Sequence, residues 1–327
     1  MTTTTNQPAT QPEGARTMTG TTRATVTFDS GGVECHGWHF TAAHDDLAGP
    51  GGRPCVVMAH GLAGTKDSGL EAFAVALAEA GLEVLAFDYR GFGESGGERR
   101  QVVSVAMQQD DYRSALGAAA GLDGVDPQRL VLWGVSMAGG HVLSVAADRD
   151  DVAAVVSLTP LVDGLAAARL AMQHHTPTQM LRSTGLGLKA KASGRAGRPP
   201  VMLPVVARPG ETGALTVEGA YEGYQAIAGP TWRNEVEASF TTELGSFRPT
   251  KDAKRVGAPT LFQIADLDRS APPYAAVKAA FKARAEVRHY PCDHFDVYPG
   301  AAWHDPVVAH QVAFLTRHLS PPSMTRR

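Results

Sequence analysis

The chain has 327 residues, of which 43% are hydrophobic and 19% charged, and its 30 basic residues nearly balance its 33 acidic residues. This length suits two domains or one large domain with an insertion, and either arrangement can bury a full core. The net charge of -3 gives no electrostatic argument for nucleic acid or an anionic membrane as the main partner.

The cysteine content and the hydropathy of the chain indicate the cellular compartment in which we expect the protein. Cys35, Cys55 and Cys292 are too few and too scattered for a disulfide framework, and none belongs to a CxxC pair. No stretch reaches the roughly 18 consecutive apolar residues of a membrane span, and the first 22 residues lack the apolar core of an export signal. We therefore expect a cytoplasmic protein that binds neither a metal nor a membrane.

Residues 1–22 are rich in Thr, Gln, Pro and Gly and contain few apolar side chains, which predicts a disordered leader. Two β-rich runs follow at 23–29 and 33–40. The Ser-Gly-Gly sequence between these runs predicts a hairpin.

From residue 54 onward, apolar runs alternate with helical patterns. The apolar residues are nearly continuous within each run, which indicates strands covered on both faces, as in a parallel sheet. The predicted strands are at 54–60, 82–89, 129–135 and 152–158, and the predicted helices lie near 69–80, 101–120 and 137–148. This alternation predicts a doubly wound α/β architecture.

The alternation stops between residues 160 and 250. Repeated Gly, Pro and basic residues at 185–214 predict an irregular stretch, and long excursions of this kind are usually lids or binding loops. The alternation then resumes, with strands at 258–265 and 285–291 and helices near 273–284 and 306–319. We therefore predict a mostly parallel eight-stranded core, residues 23–159 and 251–320, interrupted by a cap or lid at 160–250.

The sequence VLWGVSMAGGHVL (131–143) places Ser136 directly after an apolar strand and before a helical pattern. Gly134 and Ala138 are small enough to permit a sharp strand-to-helix turn, in a G-x-S-x-A variant of the nucleophile elbow G-x-S-x-G. A serine that only caps the helix would give the same local pattern.

A serine nucleophile needs a base and an orienting acid, because its free hydroxyl is too weakly acidic to attack a carbonyl at neutral pH. The loop ADLDRSAPP follows one late strand and offers Asp266 and Asp268, and the loop YPCDHFDVYPG follows the last strand and contains His294. Carboxyl ends of parallel strands meet at one sheet edge. At that edge, the backbone N–H groups of Leu62 and Met137 are the expected donors to an oxyanion.

These motifs, together with AHGLAGTKDSG (59–69) and FDYRGFGESGG (87–97), resemble the α/β-hydrolase family in content and order over about two-thirds of the chain. Within that family the chain is most similar to esterases and dienelactone-hydrolase-like enzymes. The resemblance implies no cofactor or metal. It also implies specific roles: nucleophile Ser136, acid Asp268, base His294, and oxyanion donors Leu62 and Met137.

Several of these assignments have alternatives. Asp266 and Asp163 are alternative acids, and Asp268 has the alternative role of capping a helix near Pro272. We expect Asp296 to be a structural hydrogen-bond partner in the loop around the catalytic histidine. His60 is expected to hold its own loop by hydrogen bonds rather than to transfer a proton.

The predicted function is hydrolysis of a carboxylic ester through an acyl-enzyme, which makes the chain a carboxylesterase. The apolar run VMLPVV (201–206) in the predicted lid favours a small or medium, largely apolar substrate. The same triad also serves thioesterases, lactonases, peptidases, C–C hydrolases and acyltransferases, and a non-catalytic ligand-binding protein is a further alternative. The expected partner is a small-molecule ester, and a homodimer remains open.

Overall fold

Ordered structure begins earlier in the chain than the sequence indicates. The computed structural model describes residues 16–18, 20–174 and 176–321, so most of the predicted leader lies outside the described residues. Within that leader, strand β1 (Arg16–Met18) pairs antiparallel with strand β2 (Thr21–Ser30). The β-branched residues Thr21 and Thr22 favour extended backbone, which carries β2 two residues further than predicted.

The strands and helices of the predicted core follow the predicted order, and residues 159–259 add helices and short strands that the sequence does not predict. The strands are β3 (Val33–Phe40), β4 (Arg53–Ala59), β5 (Glu83–Phe87), β6 (Val125–Val135), β7 (Val152–Leu158), β8 (Met202–Leu203), β9 (Val236–Glu237), β10 (Thr260–Ala265) and β11 (Glu286–Tyr290). The α-helices are α1 (Leu70–Glu79), α2 (Val105–Ala120), α3 (Met137–Ala146), α4 (Gly164–His174), α5 (Pro177–Arg195), α6 (Ala220–Ile227), α7 (Phe240–Leu244), α8 (Pro273–Ala283) and α9 (His304–Leu319).

Nine of the described strands form the main sheet, in the order β1-β2-β3-β5-β4-β6-β7-β10-β11. The eight predicted strands are all present, and the additional one is the short β1. Neighbours from β5 to β11 run parallel, whereas β1, β2 and β3 pair antiparallel. The predicted fold class, a mostly parallel α/β sheet, is confirmed.

The core lies on both faces of the central strands. Helices α1 and α9 pack together on one face, and α2 and α3 pack on the other. The central strands are therefore buried on both sides, and β4 from Cys55 to Ala59 is wholly inaccessible to solvent. Because both faces are covered, the strands read as continuous apolar runs instead of alternating ones.

The segment between β7 and β10, residues 159–259, is here called the inserted segment. It contains helices α4 to α7, the two-stranded pair β8 and β9, and two short 3-10 helices, Pro249–Lys251 and Ala253–Arg255. The prediction of an irregular stretch at 185–214 is wrong for residues 185–195, which form the second half of α5. Leu, Lys and Ala in GLGLKAKA are good helix formers, and Ala190 is fully buried, so packing outweighs the two glycines.

None of the helices in the described ranges combines the length and the apolar composition that a membrane crossing requires.

Candidate active site

Ser136 occupies the turn between β6 and α3 in a strained backbone conformation. Its φ of 58° and ψ of -120° are rare for a residue other than glycine. The turn is fixed by the neighbouring strand, because Ser136 N–H donates to the Leu158 carbonyl at 2.9 Å and Leu161 N–H donates to the Ser136 carbonyl at 2.9 Å. The Ser136 hydroxyl makes no capping bond to α3, so the helix-cap interpretation is wrong.

A small residue is required at Gly134 by the sharpness of this turn. A Cβ atom there would overlap the Ala138 carbonyl in the first turn of α3. The elbow therefore forms because two chain segments can approach each other without a side chain between them. Ser136 itself is only half-buried, in a stretch whose neighbours are fully buried.

Asp268 and His294 form a buried pair at the carboxyl ends of β10 and β11. The distance from His294 Nδ1 to Asp268 Oδ2 is 2.6 Å, and the two side chains are 4% and 2% exposed. Because the carboxylate accepts from Nδ1, the ring is oriented and Nε2 is the nitrogen left for another partner. Asp268 Oδ1 accepts the N–H groups of Ser270 and Ala271 at 2.7 Å each, so the acid also organises the turn before α8.

The pKa of His294 lies above its ordinary value of 6.5. Burial by itself would lower this pKa, because it disfavours the imidazolium. The negative charge of Asp268 and its hydrogen bond to the ring outweigh burial, and the charge of Asp293 adds to them. This environment stabilises the protonated form that a general base reaches during proton transfer.

The structure brings neither alternative acid to His294. Asp266 Oδ1 lies 2.7 Å from His289 Nδ1 at the exposed end of the sheet. Asp163 caps α4, accepting the N–H groups of the residues two and three positions later at 3.0 and 3.1 Å. Asp296, as expected, has a local role, because its Oδ2 accepts the backbone N–H of Asp293 at 2.8 Å.

The loop of residues 60–69 passes directly beside Ser136. A Cβ atom on Gly61 would lie 2.7 Å from Ser136 Cβ, so only glycine permits this approach. The following N–H, of Leu62, and the first N–H of α3, of Met137, have no hydrogen-bond acceptor among the described residues. The two predicted oxyanion donors therefore adjoin Gly61 and Ser136, and neither has a backbone acceptor in the part of the chain that the structure describes.

Ser136 Oγ and His294 Nε2 are not hydrogen-bonded to each other in the described part of the chain. The 60–69 loop lies close to both residues: Gly61 packs beside Ser136, and the preceding His60 is close enough to His294 for the charge of His294 to lower its pKa. Such catalytic contacts are often long without substrate and shorten only in the complex.

His60 is buried beneath its own loop, and it packs there by ring contacts, whereas the sequence predicts hydrogen bonds to the loop. Burial, with a smaller contribution from the charge of His294, lowers its pKa to about 4, so the ring is neutral at pH 7. It stacks on Tyr298 with ring centroids 5.8 Å apart, and its Nε2 lies 3.4 Å from the Tyr298 hydroxyl. The loop turns tightly around this ring, since a Cβ on Gly64 would overlap it.

One residue that supports the 60–69 loop is not evident from the sequence. The side chain of Lys66 is fully buried, and its Nζ lies 2.6 Å from both Asp88 Oδ2 and Glu94 Oε2. Asp88 Oδ1 also accepts the Lys66 backbone N–H at 2.7 Å, so this cluster ties the loop to the one that follows β5. Asp88 and Glu94 lie in FDYRGFGES, 22 and 28 residues after Lys66, and the spacing alone does not pair them.

A cavity of about 490 Å³ lies where the loop after β5 meets the inserted segment, and neither Ser136 nor His294 lines it. Three arginines are among its lining residues. Arg99 pairs with both oxygens of Glu237 at 2.9 and 3.1 Å, and Arg100 donates to the carbonyls of Gly93 and Ser95. Arg99 thus joins the loop after β5 to the inserted segment, and Arg100 stabilises the loop after β5 itself.

Within the described ranges, no group of His, Cys, Asp or Glu side chains is arranged to hold a metal ion.

Comparison with known proteins agrees with this fold. The family model described as the alpha/beta hydrolase fold matches residues 54–301, a range that includes Ser136, Asp268 and His294. The chain belongs to the α/β-hydrolase family. The predicted resemblance is therefore confirmed.

Two relatives and one solved structure illustrate what the chain is similar to. The quorum-quenching protein AidA of Acinetobacter baumannii (strain MDR-ZJ06) is 37% identical over 295 residues, covering 89% of this chain and 94% of that protein. Thiohydrolase aneE of Aspergillus aculeatus is 30% identical, covering 60% of this chain and 58% of that protein. The crystal structure of the alpha/beta hydrolase GrgF from Penicillium sp. sh18 superposes with a TM-score of 0.74 at 23% identity, covering 91% and 99% of the chains.

Proposed function

We propose that this α/β-hydrolase family member is a serine carboxylesterase that acts through an acyl-enzyme. The observation that carries the proposal is the arrangement at one sheet edge. A strained, half-buried Ser136 lies beside Gly61, and a buried His294–Asp268 pair follows the adjacent parallel strands. This arrangement is the one that nucleophilic attack on an acyl carbon requires.

In the first half of the reaction, Ser136 Oγ attacks the ester carbonyl carbon while His294 Nε2 takes the hydroxyl proton. Asp268 holds the resulting imidazolium through Nδ1. The carbonyl π bond opens to give a tetrahedral oxyanion, and the N–H groups of Leu62 and Met137 donate to it. When the intermediate collapses, the alcohol leaves with the proton from His294 and the acyl group remains on Ser136.

In the second half, water replaces the alcohol. His294 takes a proton from water, whose oxygen attacks the acyl carbon, and the second intermediate collapses to release the acid and return the proton to Ser136. Ester and water are thereby converted to alcohol and carboxylic acid with no redox step, so the mechanism calls for no cofactor.

We further propose that residues 160–250 act as a cap that selects small or medium apolar esters. Tyr224 and Trp232 from this segment stack with ring centroids 4.9 Å apart. The ring of Tyr224 lies 5.6 Å from that of Phe295, which itself packs against His294 at 5.1 Å. Aromatic groups this close to the proposed base favour an apolar substrate over a charged one.

Thioester hydrolysis is a second candidate, because the relative from Aspergillus aculeatus is named a thiohydrolase. The same acyl-enzyme serves both reactions, since only the leaving group changes from an alkoxide to a thiolate. A comparison of kcat/KM for an oxyester and a thioester with the same acyl chain separates the two. A preference for the thioester by an order of magnitude would make that assignment the better one.

The direct test is turnover of p-nitrophenyl esters of increasing acyl length, paired with labelling by a fluorophosphonate probe. We expect wild-type protein to hydrolyse the short esters and to be labelled once per chain. Ser136→Ala should lose both properties, with kcat reduced by about 10⁴-fold or more.

Ser246→Ala removes an exposed serine whose hydroxyl only contacts the Glu243 carbonyl, so it serves as the matched control. This control should keep wild-type turnover and labelling. A folded wild-type protein that is not labelled, or labelling that persists in Ser136→Ala, would contradict the proposed function.

A further inference from the structure

One side chain of the inserted segment reaches the loop that carries the proposed oxyanion donor. The hydroxyl of Tyr224, on α6, donates to the backbone carbonyl of Leu62 at 2.7 Å. Tyr224 is 3% exposed, so water competes little for this hydrogen bond. Burial raises the pKa of the Tyr224 hydroxyl, which therefore stays protonated and remains a donor throughout the physiological range.

The carbonyl that receives this hydrogen bond belongs to a strained part of the loop. Leu62 C=O is part of the peptide that joins Leu62 to Ala63, and Ala63 has a φ of 54°. This left-handed conformation is unfavourable for an alanine, whose Cβ atom crowds the backbone. The Leu62 N–H lies in the preceding peptide, Gly61–Leu62, which shares the Leu62 Cα atom with the Leu62–Ala63 peptide. If Leu62 moved to relieve the strain at Ala63, both peptides would shift, and the Leu62 N–H would be displaced with them.

The rest of the inserted segment holds Tyr224 against the loop. The ring of Trp232 stacks on the ring of Tyr224, and the ring centroid of His60, in the loop, lies 6.0 Å from that of Tyr224. Three positions further along the loop from Gly64, Asp67 Oδ2 accepts the backbone N–H of Thr231 at 2.8 Å. Two hydrogen bonds between described residues thus join the segment to the loop, and the one from Tyr224 reaches the peptide next to the N–H of Leu62.

We propose that Tyr224 is a positioning residue for the oxyanion hole. Its hydroxyl anchors the Leu62 carbonyl next to the strained Ala63, and so keeps Leu62 in the position from which its N–H, in the preceding peptide, points toward the developing oxyanion. Tyr224 does not contact the reacting atoms in this scheme, and it acts only through the loop. The inference rests on the proposed function, because it assigns a role within the same esterase site.

The first test is Tyr224→Phe, which removes one hydroxyl and leaves the ring stacking in place. Loss of a direct oxyanion donor lowers kcat by about 10²- to 10³-fold, so misdirection of one donor should lower it by about 10- to 100-fold. KM for a short p-nitrophenyl ester should change by less than about 2-fold, because the contact acts on the transition state. Tyr221→Phe, on the same helix but stacked on Arg208, should leave kcat unchanged.

Two further measurements separate positioning from a general structural effect. A trifluoromethyl ketone, which binds as a hemiketal oxyanion on the serine, should lose affinity for Tyr224→Phe by the same factor as kcat/KM. Ala63→Gly in the Tyr224→Phe background should recover part of the lost kcat, because glycine adopts a positive φ without strain. This double variant also keeps the proposal testable if the single variant folds poorly.

Unchanged kcat in Tyr224→Phe would overturn the inference, as would a rise in KM alone or an equal loss in Tyr221→Phe. A double variant no more active than Tyr224→Phe would show that the strained peptide is not what the hydroxyl holds. These results leave the esterase proposal standing, since wild-type turnover and Ser136 labelling are measured in the same assay. Absence of both in wild-type protein would overturn the two proposals together.

Discussion

At the scale of single residues, the two oxygens of Asp268 do different work. Oδ2 accepts from His294 and sets the orientation of the ring, while Oδ1 accepts two backbone N–H groups that fix the loop. Asp268 does not cap α8, which begins at Pro273 without a side-chain cap; its Oδ1 fixes the turn before that helix while its Oδ2 orients the ring. The nearby Asp266 has the same side chain but lies at the exposed end of β11 with His289.

Asp268→Asn should lower kcat by about 10³- to 10⁴-fold, because the amide neither stabilises the imidazolium nor selects the correct tautomer. The acid limb of the pH profile should also move. Wild-type activity should fall as the pH drops through a midpoint above 6.5, since His294 must be neutral and its pKa is raised. In the variant, burial is no longer outweighed, so the midpoint should shift to lower pH.

The measurement is kcat/KM for a p-nitrophenyl ester between about pH 5 and pH 9. Asp266→Asn is the matched control and should keep both the rate and the wild-type midpoint. If Asp266→Asn shifted the midpoint and Asp268→Asn did not, the orienting acid would be Asp266.

At the scale of elements, the position of the serine depends on how closely β6, α3 and the 60–69 loop approach one another. Gly134 and Gly61 each occupy a place where a Cβ atom would collide with neighbouring backbone or with Ser136. The small residues of GVSMAGG are informative in the sequence because they are needed for this local geometry. In the 60–69 loop, Gly61 is required because this loop passes close to Ser136, and the sequence around Gly61 does not reveal that contact.

Gly134→Ala should destabilise the fold by about 1 to 3 kcal/mol, because α3 would have to move away from β6 to make room. It should also lower kcat, since that movement displaces Ser136 and the Met137 N–H. The free energy of unfolding, from urea denaturation, and ester turnover would be measured together.

Gly117→Ala in α2 is the control, because a Cβ atom there would meet nothing within 4 Å. That substitution should stabilise the protein by about 0.5 to 1 kcal/mol through helix propensity, with unchanged turnover. Equal stability of Gly134→Ala and wild-type protein would show that the elbow tolerates a methyl group.

At the scale of the whole molecule, burial of titratable side chains couples stability to pH. His60 and His141 are buried within the fold, and burial lowers their pKa values to about 4 and about 3. In the unfolded chain both titrate near 6.5, so below that pH the unfolded state binds protons that the folded state excludes. His294 has the opposite sign: its contribution is complete below 6.5 and is lost as the pH rises through its folded pKa.

We therefore expect the free energy of unfolding to fall between pH 6.5 and about pH 4, by up to about 1.4 kcal/mol per pH unit for each buried neutral histidine. His141→Gln should flatten this slope, whatever its effect on stability at pH 7. The check is urea denaturation at a series of pH values. His174→Gln changes an exposed histidine and should leave the slope unaltered, and equal slopes in all three proteins would refute the prediction.

The sequence by itself determined the strand and helix order of the core, the strand-to-helix turn at Ser136, and the loops that carry Asp268 and His294. These features follow from short-range rules, because continuous apolar runs, small residues and turn residues act on their own neighbourhood. The sequence does not predict the second half of α5, because its glycines lower the helix propensity and packing determines its conformation.

Only the tertiary structure shows that Asp268, and not Asp266 or Asp163, contacts His294. It also shows that Lys66 is buried against Asp88, and that Tyr224 contacts the carbonyl of Leu62, 162 residues away. Contacts between segments far apart in the chain depend on how helices and loops pack around the sheet, and no local pattern encodes that packing. The sequence therefore shows which chemical groups the site contains, whereas the fold determines which of these groups contact one another.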